Sequence, residues 1–118
     1  MQNFLMGFAW AFNGLIVFFR HERNGRIQLF AGVVVLALGC FYHVSAIEWI
    51  VLLGCIASVL SFEMMNSSIE KLCNLLHPAM HPAVKIIKDI SAAAVLWVAL
   101  FSAIIAAIIF LPKMLYQF

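Results

Sequence analysis

Charge is scarce in this chain of 118 residues, of which 10% are Asp, Glu, Lys or Arg, where an average soluble domain carries about 25%. With 66% of its residues hydrophobic, the chain cannot cover a globule with polar side chains and belongs in lipid. Long runs of one sign are also missing, and a net charge of +2 spread over scattered Lys and Arg argues against a nucleic-acid partner. Cysteine is limited to Cys40, Cys55 and Cys73. Their odd number and lack of CxxC spacing give a disulfide framework or a zinc site little support, leaving packed free thiols as the expectation. The start Met1-Gln2-Asn3-Phe4 lacks the basic stretch and small-residue cleavage site of a signal peptide, so no processing is expected. No GxxxxGK[ST] loop, GxGxxG turn, HRD or DFG element or HExxH pair occurs, so any nucleotide site must be unconventional. No internal repeat, low-complexity segment or linker divides the chain, which reads as one domain over 1–118.

What the chain does have is apolar runs. Phe4, Phe8, Ala11, Phe12, Leu15 and Phe18 recur at helical spacing ahead of the polar stretch Arg20 to Arg26. With Asn13 and Gly14 inside it, this segment over 1–20 reads as an amphipathic helix lying in the membrane interface. Three runs follow, Ile27 to Tyr42, Ala46 to Phe62 and Ile90 to Leu111, and flanking residues extend them to expected spans near 27–44, 46–72 and 88–112. The 22 residues of the last run rise about 33 Å as a helix, enough for a hydrocarbon core of about 30 Å. His43-Val44-Ser45 predicts a tight hairpin between the first two spans, and Pro78 and Pro82 terminate the helix that emerges from the second. The predicted fold is therefore an all-α membrane protein with one interfacial helix and three transmembrane helices. Of the seven Lys and Arg residues, only Lys113 lies beyond the last span, while the other six collect on the opposite face. That asymmetry predicts a multi-pass protein with this face in the cytoplasm.

Glu22, Glu63, Glu70 and Asp89 all map to the same cytoplasmic boundary, with only Glu48 on the other side. Charges near a membrane are functional candidates, because a central one costs about 2.5–3.5 kcal/mol to insert. Glu63, Asn66 and Glu70 stand at i, i+3 and i+7, which places them on one helix face over about 10 Å. The plainer account is that Asn66 and Ser67 bond neighbouring helices and Glu70 is solvated. Lys88 and Asp89 offer a cation and a carboxylate at the same depth, although helix capping would also explain Asp89. Glu22 sits among Arg20, Arg23 and Arg26, where a surface ion-pair cluster is the plainer reading. Together these groups form the inventory of phosphoryl transfer: carboxylates for magnesium, cations for the transferring group and a carboxylate for the proton of an attacking hydroxyl. His77 and His81 are separated by Pro78, which spoils a helical zinc pair. A small multidrug transporter would need a fourth span and an acid deep in the first, and Ile27 to Tyr42 contains none. A non-catalytic accessory subunit would leave the boundary cluster without a purpose.

Glu63-Met64-Met65-Asn66-Ser67-Ser68-Ile69-Glu70 resembles the ExxN[ST]xIE signature of the small bacterial diacylglycerol/undecaprenol kinases, and Lys85 through Val95 resembles their KxxKDxxAxAV segment. Glu22-Arg23-Asn24 through Ile27 is similar to their ERNxRI stretch, and Phe12-Asn13-Gly14-Leu15 to their N-terminal helix. The resemblance thus covers nearly the whole chain. It implies an ATP-dependent lipid kinase that phosphorylates diacylglycerol or undecaprenol in the bacterial inner membrane and works as a homotrimer with sites shared between subunits. By position it implies Glu63 as the general base and Glu22 and Glu70 as Mg2+ ligands. ATP would contact Glu22, Asn66, Glu70, His81, Lys88 and Asp89, and the lipid would contact Gly14, Glu63 and Ala92. Asn74 departs from the family's usual Asp, Ser68 stands where the family commonly has Ala, Ala93 where it often has Gly, and Gln28 where the undecaprenol branch often has His.

Overall fold

A computed structural model of the chain describes residues 2–116 as four helices, α1 (Gln2–His21), α2 (Arg23–Phe41), α3 (Ala46–Leu76) and α4 (Pro82–Tyr116). The polar stretch 20–26 breaks the helix at one residue only. Glu22 adopts an extended conformation (φ −107°, ψ 111°) between α1 and α2. Arg26 then reaches back across the break, its Nη1 donating to the carbonyls of Phe19 (3.1 Å) and Arg20 (2.9 Å). These are carbonyls left unpaired at the end of α1, where a cation also complements the helix dipole.

The hairpin between α2 and α3 is built from two complementary caps. Val44 N–H donates to Gly39 O (3.1 Å) and His43 N–H to Cys40 O (3.4 Å), the paired bonds that close a helix with a left-handed residue next to its cap. His43 is that residue, at φ 52°. Ser45 then starts α3: its hydroxyl accepts from Glu48 N–H (3.2 Å) while the Glu48 carboxylate accepts from Ser45 N–H (2.9 Å). The same Glu48 carboxylate pairs with Lys113 on α4 (3.2 Å), so the two ionisable groups expected on the far face meet there.

α4 begins at Pro82, earlier than the apolar run suggested. Proline is compatible with the first helical turn because its missing N–H would have no intrahelical partner. His81 Nδ1 accepts from Ala83 N–H (3.1 Å) and satisfies one of the free donors of that turn. At about 46 Å, the 31-residue α3 is longer than a hydrocarbon core of about 30 Å.

α3 is the central helix, with α4 and α2 packed on it. The buried residues of α2 are Gly25, Gly32 and Gly39, a heptad spacing that puts all of them on one face. A Cβ at Gly25 would meet the Phe18 ring at 2.5 Å, one at Gly32 would meet Ile56 at 3.1 Å, and one at Gly39 would meet Trp49 at 2.6 Å. Small residues allow this close approach, which is how helices gain dispersion energy in lipid. Gly39→Leu should therefore destabilise the folded protein in detergent by about 1–3 kcal/mol, the usual cost of overpacking. Equilibrium unfolding would measure it, and an unchanged midpoint would show that Trp49 can move aside freely.

Below that seam Leu52, Val44 and Phe110 form the core, with Trp49 and Tyr42 against it. Most other large apolar side chains face outward, including Phe30 at 72%, Ile50 at 70% and Trp97 at 68% exposure, while Glu63 and Ser91 are buried at 6% and 9%. Apolar outside with polar groups inside is the arrangement of a membrane protein. α1 is also long and apolar enough to cross a membrane, as are the other three helices. The cysteines are free, as expected, but they are not packed in the protomer: Cys40 is exposed, and Cys55 and Cys73 are partly so.

Candidate functional site

The 3.6-residue period places Glu63, Asn66, Ser67, Glu70 and Lys71 on one face of α3. Glu63 is buried against the bundle, and no hydrogen bond or ion pair engages its carboxylate among the described residues. The carboxylates of Glu70 and Glu22 lie close enough to act on it electrostatically. One turn on, Asn66 Nδ2 donates to Glu70 Oε1 (3.4 Å), while Asn66 Oδ1 is buried without a partner. A buried amide oxygen without a hydrogen bond is costly and marks a place where a donor or cation would be accommodated.

The one-residue break between α1 and α2 delivers Glu22 to this face of α3. Its carboxylate pairs with the Lys71 ammonium, and Lys71 Nζ also lies 3.3 Å from Ser67 Oγ. Lys71 first, and Ser67 second, hold the Glu22 carboxyl below the usual carboxylate range. Beside this pair, α1 and α3 bound a groove of about 520 Å³, with Gly14, Leu15, Phe18 and Met64 on its apolar side and Glu22, Ser67 and Lys71 on its polar side. A Cβ at Gly14 would meet nothing within 4 Å, so this glycine opens the groove rather than packing a neighbour.

The remaining candidates lie on α4 and its approach. Lys88 donates to Asn74 Oδ1 on α3. Asp89 pairs with Lys85 one turn away (2.6 Å), both side chains more than half exposed. His81 sits at the start of α4 as its cap, its ring 5.1 Å from that of His77. Ala92 is exposed and lies outside the α1/α3 groove. The structure thus gathers Glu22, Glu63, Asn66 and Glu70, puts Gly14 in the adjoining groove, and leaves Asp89 and Ala92 apart from it. Lys71 is the residue that sequence reading passed over as one of several boundary cations; its position one residue past Glu70, in the next turn after Ser67, was the available signal.

The resemblance carried by the sequence motifs implies Mg2+, and the donor set can be tested against that ion. Among the described residues no cluster of three or more His, Cys, Asp or Glu side chains is placed to enclose a metal. Magnesium does not require one, because it is usually held by one or two carboxylates together with phosphate oxygens and water. Glu70 and Glu22 supply hard carboxylate oxygens, and Asn66 Oδ1 supplies an unpartnered neutral one. The residues fit the ion.

The family model described as prokaryotic diacylglycerol kinase matches residues 9–110. The chain is 35% identical over 114 residues to the undecaprenol kinase of Bacillus subtilis, covering 97% of this chain and 93% of that protein. It is 33% identical over 114 residues to the diacylglycerol kinase of Synechocystis sp., covering 96% of this chain and 65% of that longer protein.

Proposed function

The chain belongs to the prokaryotic diacylglycerol kinase family and is a membrane lipid kinase, and we propose that it transfers the γ-phosphate of ATP to the hydroxyl of undecaprenol at the inner face of the bacterial cytoplasmic membrane. The observation that carries the reaction is the open carboxylate of Glu63, buried at 6% exposure at the membrane boundary beside Glu22 and Glu70. Its oxygen accepts the proton as the lipid oxygen attacks the γ-phosphorus. The bond to the β,γ-bridging oxygen breaks, leaving ADP and a lipid phosphate monoester. Glu22 and Glu70 hold Mg2+, which when bound offsets charge on the phosphate oxygens. Asn66 orients Glu70 through its amide, and Lys88, held toward α3 by Asn74, supplies a cation to the phosphates, with His81 and Asp89 as further contacts of the nucleotide.

The lipid lies with its chain along the apolar side of the α1/α3 groove, where Gly14 leaves room, and with its hydroxyl toward Glu63. Ala92 contributes from α4. In this reading α1 lies in the membrane interface and α2, α3 and α4 cross. The Lys and Arg asymmetry supports a cytoplasmic site, with six of the seven on its side. Three thin spans could hardly enclose ATP and lipid alone, and the enzyme works as a homotrimer with sites shared between neighbouring subunits. The transporter alternative gains a fourth long apolar helix from α1, but α1 and α2 contain no acidic residue to bind a cation within the membrane.

Undecaprenol is favoured over diacylglycerol because the relative of matching length is an undecaprenol kinase, 93% covered. The test is transfer from labelled ATP to undecaprenol and diacylglycerol in parallel, with purified protein in detergent and Mg2+ titrated. Labelling of undecaprenol at the higher kcat/KM is expected. Preference for diacylglycerol would reassign the acceptor, and labelling of neither by folded protein would reject the lipid-kinase reading of the site.

A further inference from the structure

Lys71 is the part of this site that the reaction described above does not use. Its ammonium touches Glu22 and lies 3.3 Å from Ser67 Oγ. The contact spans 49 residues of chain. Among the described residues, it is the side-chain polar contact that ties the α1/α2 break to α3. Glu22 is the less exposed partner, its side chain 27% accessible against 59% for Lys71. The carboxylate is therefore already paired with a cation that the protein itself supplies.

From this geometry we propose that Lys71 is a positioning residue: an internal counter-ion that holds Glu22 against α3 in the magnesium-free site and gives it up when the divalent cation takes the carboxylate. The inference rests on the reading of Glu22 as a Mg2+ ligand. Two cations compete for one carboxylate. Without Lys71, Glu22 would keep its like-charge interaction with Glu63 and lose the cation that offsets its own charge. With Lys71, the empty site is neutralised at the cost of some metal affinity. Once exchanged, the ammonium remains at the polar end of the groove, tethered by the α3 backbone beside Ser67 and Ser68.

A plain surface ion pair and a counter-ion predict opposite signs for one measurement. If Lys71 only glued helices together, its loss would loosen Glu22 and leave Mg2+ binding unchanged or weaker. If it competes with the ion, its loss must tighten Mg2+ binding, by the roughly threefold factor that an exposed pair contributes. The experiment follows thermal unfolding of the nucleotide-free protein in detergent as Mg2+ is titrated, so that stabilisation by the metal alone is read without turnover. Lys71→Gln and Lys71→Met should shift the titration midpoint about threefold lower, and Lys71→Arg should restore the wild-type value. The two neutral variants differ in polarity, so a folding defect confined to one leaves the other to report. A midpoint that is unchanged or higher in the neutral variants, while Glu22→Gln abolishes the response, overturns the counter-ion role alone. If Glu22→Gln also titrates like the wild type, Glu22 is not a magnesium ligand and the metal reading fails with it.

Discussion

Replacement of Glu63 by Gln is expected to lower kcat by about 10²- to 10⁴-fold, the range that a positioned general base contributes, with the folded protein otherwise intact. The substitution keeps shape and volume but removes the only feature that matters for the chemistry, an anionic oxygen able to take a proton. Glu63 is 6% exposed, which would ordinarily demand a partner for a charge, since isolated buried charges are among the costliest features of a protein interior. None of the described side chains supplies one. A carboxylate held open in this way either costs stability without return or serves a substrate hydroxyl that arrives from the lipid. The measurement is single-turnover transfer from labelled ATP to the lipid, with nucleotide affinity followed separately. Loss of transfer with retained nucleotide binding supports the base, because that pattern marks an interaction made in the transition state. Transfer at the wild-type rate would remove Glu63 from the mechanism and return it to the plainer role of a helix-packing polar group.

Glu70→Gln is expected to produce a different signature, a rise in the Mg2+ concentration needed for half-maximal activity. Even residues that merely hold a metal ligand cost about 10- to 100-fold in affinity when changed, so loss of a ligand should cost at least that. Glu70 Oε1 is oriented by Asn66 Nδ2 at 3.4 Å, and the other end of the same amide, Oδ1, is buried without a partner. Asn66 therefore offers one end to a carboxylate and the other to whatever occupies the site. At saturating Mg2+ the Glu70→Gln variant should recover a substantial part of kcat, whereas Glu63→Gln should recover none. A wild-type magnesium titration in Glu70→Gln would exclude it as a ligand. The contrast between the variants matters more than either result alone, because both carboxylates sit on one helix face and a general disturbance of α3 would affect them alike.

Much of this molecule follows from local rules acting on the sequence. The apolar runs had to become helices because lipid leaves backbone N–H and C=O groups no partner except each other. Ser45 and Glu48 stand three residues apart and form the reciprocal cap that this spacing favours. Glu63, Asn66 and Glu70 share a face because the helical repeat is 3.6 residues. Membrane class, helix count and the chemistry of the α3 face were therefore determined by the sequence itself. The start of α4 was harder to read, since Pro82 looks like a breaker until His81 is seen to cap the turn that it begins. Gly25, Gly32 and Gly39 are the contact face of α2, a role that the apolar run Ile27 to Tyr42 does not announce. Whether a glycine weakens a helix or seats it depends on what approaches it, and Trp49 and Phe18 approach from outside the α2 segment. Only the tertiary structure could bring Glu22 to Lys71 across 49 residues of sequence, and only it could bring Lys113 to Glu48. No periodicity encodes such pairs, because they depend on the angle at a one-residue break and on how long helices lie against each other.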